Sequence, residues 1–214
     1  MSEHANDLLE SLPAGRTNRK ILDSWLRARG NKILPKRSAF ENALPPNLAL
    51  NAAIVEVQAP DKLIYTRRSA AVMKISGITE TGINMLDITP PPYRAKRSEN
   101  YWTVASRPCV AMNRMDYPLA DHENGYVTVI NLSLPVFPDN EQDPMEIHIT
   151  AEVTDEVHSN LYFASLYRDK ETGKIIPITT PFEFFDIGNG TEPVGIPNIR
   201  GDEVWPAISL QFEV

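Results

Sequence analysis

The sequence predicts an α+β fold, a five-stranded antiparallel sheet with helices gathered on one face. Three observations lead there. Apolar residues recur at helical spacing before Gly30, five segments between Asn51 and Val153 carry strand patterning, and helical stretches separate the second of those segments from the third. The chain has 214 residues, 42% hydrophobic and 23% charged, which excludes disordered and collagen-like classes and is enough to bury a working core.

Residues 1–16 read as a disordered polar leader ending in Pro13-Ala14-Gly15. Residues 17–50 form an N-terminal helical segment. There Ile21, Leu22, Trp25 and Leu26 make an apolar stripe on a helix from Asn18 to Arg29, which Thr17 or Asn18 can cap and Gly30 can end. The other side of this helix is basic. Ser38 followed by Glu41 is a capping-box pattern for a second, short helix that Pro45-Pro46 must stop.

Residues 51–153 carry the sheet. Ala53, Val55 and Val57 alternate with Ile54, Glu56 and Gln58, and after a Pro60-Asp61 turn Lys62 to Arg68 reads as the hairpin partner. Short helical pieces punctuated by Gly77 and Gly82 follow. A longer helix then has Thr89 as N-cap, Pro90 as its first residue, an apolar face at Tyr101, Trp102, Val104 and Ala105, and Pro108 at its end. Three strands close the domain: Pro108 to Asp116, the nearly continuous apolar run Tyr126 to Leu134, and Met145 to Val153. In the last, Met145, Ile147, Ile149, Ala151 and Val153 face the core, leaving Glu146, His148, Thr150 and Glu152 for water. Residues 154–214 read as a β-rich C-terminal extension, with a hairpin from Leu161 to Tyr167 and Lys174 to Thr180 and a final strand from Ala207 to Val214.

Charge is unevenly distributed: residues 1–108 carry a net +6 and residues 109–214 a net −13. Eight Lys or Arg between Arg16 and Arg37 face only Asp23, which raises nucleic-acid binding by the first helix as an alternative. The overall charge of −7 and the lack of a recognised binding motif speak against it. One cysteine, Cys109, allows no internal disulfide, and the longest uncharged apolar run, Tyr126 to Pro138, is too short and too proline-rich to span a bilayer. With no apolar core in the first 20 residues, the expectation is a cytoplasmic protein that does not enter a membrane.

Four segments resemble a known family: Ile21-Leu22-Asp23-Ser24-Trp25-Leu26-Arg27-Ala28-Arg29-Gly30; Leu34-Pro35 with Arg37; Ile64-Tyr65-Thr66-Arg67-Arg68-Ser69-Ala70; and Gly77-Ile78-Thr79-Glu80-Thr81-Gly82. Together they are similar, over about residues 18–153, to the stand-alone PAS-type domain proteins common in alphaproteobacteria. Thr66 and Ser69 stand where that family usually has an arginine and a glycine; Arg67 or Arg68 could substitute from a different sheet face. The resemblance implies a five-stranded antiparallel PAS sheet with short helices across one face, used as a sensory or protein-interaction module in signal transduction. It names no signal.

Enzyme chemistry finds little purchase. There is no Gly-x-Ser-x-Gly, no phosphate-binding glycine loop, and Cys109 lies in a predicted strand with no adjacent base. The rival reading, a small α+β enzyme with a general base in its cavity, would have to use Glu56 or Asp116. His148 with Glu146, Glu152, Asp155, Glu156 and His158 could in principle hold a divalent ion, although such residues are expected on the wet side of a strand, and no metal site is assigned. Among small-molecule features a ligand cavity is the first to consider, although a packed core is the commoner outcome of such residues. In a PAS-like arrangement Trp102 and the short helix bearing Val72, Met73 and Ile75 would cover Tyr65, Met112 and Ile130, lining a pocket or filling it. No cofactor is identified. The expected protein is thus a non-catalytic regulator acting on an unidentified protein partner, and a homodimer through Ile21, Leu22, Trp25 and Leu26, whose stripe would otherwise lack a surface to cover.

Overall fold

In the computed structural model, which describes residues 17–76, 79–107, 109–118, 125–159, 166–168, 175–177 and 182–186, the chain opens with three helices. These are α1 (Thr17–Arg29), α2 (Arg37–Ala43) and α3 (Pro46–Ala49). The hairpin β1 (Ala52–Ala59) and β2 (Lys62–Arg67) leads to α4 (Ala70–Ser76) and α5 (Pro91–Ser106). Then come β3 (Cys109–Pro118), β4 (Gly125–Val136), β5 (Met145–Ser159), β6 (Leu166–Arg168), β7 (Ile175–Pro177) and β8 (Glu183–Asp186).

The main sheet is open and antiparallel throughout, in the order β2-β1-β5-β4-β3-β8. All five predicted strands are present. A sixth, β8, pairs with β3 at the sheet's edge and so ties part of the C-terminal extension to the main fold. Strands β6 and β7 pair separately as a two-stranded ribbon within the predicted 161–180 hairpin. The predicted strand Ala207 to Val214 lies outside the described residues.

Strand alternation divides the core in two. Ala53, Ile149, Ser133 and Ala111 stand opposite one another across β1, β5, β4 and β3, so they share a face. On that face Val55, Ile147, Ile149 and Ala111 pack with Tyr101 and Val104 of α5, with Met85 and Leu86, and with Phe182. The alternate residues Val110, Leu132, Leu134 and Val136 pack against Ile21, Leu22, Trp25, Phe40 and Leu48 of the three N-terminal helices.

Helices therefore cover both faces, which corrects the expectation of a one-sided layer. The supposed wet row of β5 is part of the second core: Glu146 is 3% exposed, and His148 and Thr150 are fully buried. The stripe on α1 is likewise spent within the chain. Ile21, Leu22 and Trp25 have no exposed surface and Leu26 very little, because the chain's own sheet supplies the surface that a second copy was expected to offer. The Trp25 indole Nε1 also donates to the Pro135 carbonyl at 3.0 Å, which meets the polar need of a fully buried tryptophan.

Two predicted caps are replaced by other contacts. Helix α2 begins at Arg37 without a side-chain cap, and the Ser38 hydroxyl donates instead to Asp139 Oδ1 at 2.7 Å, pinning the helix to the β4–β5 turn. At α5 the cap position belongs to Pro90, while the Thr89 hydroxyl donates back to the Met85 carbonyl. Gly30 and Gly82 do adopt positive φ, 55° and 77°, where a side chain would be strained. We expect Trp25→Ala to cost about 3–5 kcal/mol in urea unfolding, as for a large ring removed from a closed core. Sedimentation should show the same subunit number as the parent protein, since the residue faces its own sheet.

Candidate ligand-binding face

The two sheet faces treat their buried polar groups differently. Beneath the N-terminal helices most of them are paired. Asn18 Nδ2 donates to the Ile130 carbonyl at 2.9 Å, its Oδ1 accepts from the Thr150 hydroxyl at 2.6 Å, and its backbone N–H donates to Glu152 Oε2. Glu146 takes Arg37 Nη1 at 2.6 Å on one oxygen and lies 3.3 Å from His148 Nε2 on the other. The Phe40 ring stands edge-on to the His148 imidazole. Burial pushes the Glu146 carboxyl upward, but the hydrogen bonds from His148 and Arg37 outweigh it and hold the group below the usual carboxylate range. These contacts clip the helical segment to β5.

Beneath α5 the polar groups are left over. Asn113 on β3 stands directly opposite Asn131 on β4, and Ser133 follows two residues later on the same face. All three are at least 96% buried, with exposures of 3%, 4% and 0%. Both side-chain polar atoms of Asn113 and the Ser133 hydroxyl make no hydrogen bond among the described residues. Their surroundings are apolar: Ala111, Ala151 and Ile149 in neighbouring strand positions, with Tyr101 and Val104 of α5 on the same side. From Cys109 to Met115, Val129 to Pro135 and Ile147 to Val153, the positions facing α5 carry no ionisable side chain other than the Cys109 thiol. Such a face can offer donors and acceptors to a ligand without charging it.

The residues expected to line a pocket do not converge here. Tyr65 and Trp102 are half-buried against the α5 core, and Met73 is half-buried on α4. The side chain of Ile75 is outside the described residues. Met112 packs against the N-terminal helices, and Ile130 shares the parity of Leu132 and Leu134 on that same face. The pair was chosen as apolar sheet residues, but an apolar residue fits either face once both are covered. Their neighbours Asn113 and Asn131 hold the relevant positions. The available signal was polar residues at alternate positions in otherwise apolar strands.

Other candidates resolve more simply. Glu56 Oε2 accepts from the Gln58 amide, at the surface and on the parity opposite Val55 and Val57. The side chains of Asp116, Asp155, Glu156 and His158 are outside the described residues. An open groove of about 630 Å³ runs past Asp61, Ile64, Gly82 and Asn84. Its amide is already committed: Asn84 accepts from the Leu63 and Leu86 backbone and donates to the Asp61 carbonyl. Compared with protein-family models, curated proteins and solved structures, the chain matches none.

The depressed Glu146 group has a consequence for pH. Its charged form stabilises the fold above the unfolded glutamate value of about 4.3, and that contribution is lost as pH falls through the lower folded value. We expect Glu146→Gln to flatten the acid limb of a stability–pH curve. At pH 7 it should cost about 1–3 kcal/mol, the lower part of the buried-pair range because Arg37 is half in solvent.

Proposed function

We propose that this chain is a non-catalytic, PAS-like sensory or regulatory protein that acts through protein–protein interaction and holds a small ligand between the sheet and α5. The order of elements supports the reading: a leading helix, a hairpin, short helices, one longer helix and three further antiparallel strands. The resemblance of residues 18–153 to PAS-type proteins points the same way. Its partner has to use a surface other than Ile21, Leu22, Trp25 and Leu26, which the chain's own sheet occupies.

The observation that carries the ligand is the unpartnered Asn113 amide and Ser133 hydroxyl beneath α5. Leaving such groups buried and unmet costs about 1–3 kcal/mol each, and folded proteins rarely tolerate it without a partner of some kind. A molecule with neutral donors and acceptors would meet them. The absence of a carboxylate or imidazole on that stretch of sheet favours binding over acid–base catalysis.

Native mass spectrometry of freshly purified protein tests this, reporting retained small molecules and subunit number together. In ligand-free protein, Asn113→Leu should raise the thermal midpoint by a few degrees, since it removes the stranded amide at nearly constant volume. The same variant should lose any molecule retained by the parent. A fall of several degrees with no bound molecule in either protein would contradict the reading.

A further inference from the structure

We propose that Arg68 and Ser69, between β2 and α4, bind the carboxylate of a small organic acid whose apolar body lies against Tyr65. The proposal goes beyond the ligand read at Asn113 and Ser133: Tyr65 lies on β2, three strands from β4 and four from β3, so this is a separate site toward the other end of the sheet. Arg68 is 9% exposed and Ser69 1%. The guanidinium carbon lies 3.5 Å from the centre of the Tyr65 ring, and Nε donates to the Glu80 carbonyl at 2.9 Å. Among the described residues the buried Nη2 has no acceptor, and the hydroxyl of the next residue, Ser69, is buried with no partner.

The charge is what makes this pair informative. An arginine cannot shed its proton to escape burial, so a guanidinium taken from water calls for an opposing charge. Its neighbour Arg67, whose Nη2 is likewise unmet among the described residues, has such a charge in Glu41, 3.9 Å away. Among the described residues no carboxylate is paired with Arg68. Stacking on Tyr65 and one carbonyl bond offset part of the desolvation and leave one N–H of Arg68, and the hydroxyl of the next residue, unmet among the described residues. Two donors suit an oxyanion. The neighbouring apolar residues Leu63 and Met85, packed in one cluster with Tyr65, favour an organic acid over strongly hydrated inorganic phosphate.

Isothermal titration calorimetry on the full chain tests the assignment with hexanoate, benzoate and phenylacetate, their neutral amides, and inorganic phosphate. At least one acid should bind saturably at one per chain, with its amide at least about tenfold weaker. Arg68→Met should abolish that binding, and Ser69→Ala should weaken it about tenfold. If Arg68→Met fails to fold by circular dichroism, the Ser69→Ala affinity decides alone. Acid and amide binding alike, no saturable acid binding, phosphate binding more tightly than every acid, or unchanged affinity in either folded variant would overturn the assignment. Failure here is distinct from failure of the broader reading: a neutral molecule retained by the parent and by Arg68→Met, but lost in Asn113→Leu, would leave the ligand face standing without an acid site.

Discussion

The constraint on which this structure depends is that β3, β4 and β5 must each serve two interiors at once. A strand presents successive side chains to opposite faces, so a sheet covered on both sides needs every position to suit one cover or the other. In β4 the residues Leu132, Leu134 and Val136 seat the N-terminal helices, while Asn131 and Ser133 turn to the side of α5. A one-residue slip would exchange the two sets, placing Leu132 beneath α5 and Asn131 beneath α1. Register is thereby fixed more tightly than in a sheet with a wet face.

The contrast between the two interiors is chemical as well as spatial. On the helical-segment side, Asn18 meets Thr150 and Glu152, and Arg37 meets Glu146, over sequence separations of more than a hundred residues, while His148 Nε2 lies against Glu146 on the same strand. That is the behaviour expected of a permanent interface, because each unmet group would weaken it. The α5 side leaves Asn113 and Ser133 unanswered although both are as deeply buried. The helical-segment side leaves His148 Nδ1 and Arg67 Nη2 unmet among the described residues, and the α5 side leaves three atoms, on Asn113 and Ser133, in surroundings that are otherwise apolar. In the proposed reading a ligand meets those three, since the groups that fix a ligand are by nature those the protein does not use for itself.

Much of the fold was legible from the sequence because its signals are local. Alternation in Met145 to Val153, the Pro60-Asp61 turn, and the glycines at 30 and 82 each act within a few residues, and the five strands lie where those signals put them. What was not legible is what covers what. Glu146, His148 and Thr150 on one strand face look the same in sequence whether water or another helix lies above them. Their partners, Arg37 and Asn18, sit more than a hundred residues earlier in a segment whose apolar stripe seemed to lack a surface. Each half of the interface misled separately: the polar row read as solvated, and the apolar stripe read as a contact for a second chain. The same ambiguity put Met112 and Ile130, rather than Asn113 and Asn131, on the face beneath α5.

In the proposed reading, a ligand beneath α5 and the N-terminal helices would share one strand, β4. There Ser133, with Asn113 on β3, would hold the ligand; Asn131 faces the same side, Leu132 and Leu134 seat α1, and the Pro135 carbonyl takes the Trp25 indole. Five consecutive residues of one strand thus address both covers. Close-packed interiors yield little to small displacements, so a change in the twist or spacing of β4 on one side must be taken up by the packing on the other. The coupling in this reading resides in the pleat itself: the backbone that positions an amide toward α5 also positions a leucine toward α1. A molecule bound at Asn113 and Ser133, as proposed, would meet the same strand that seats the helical segment.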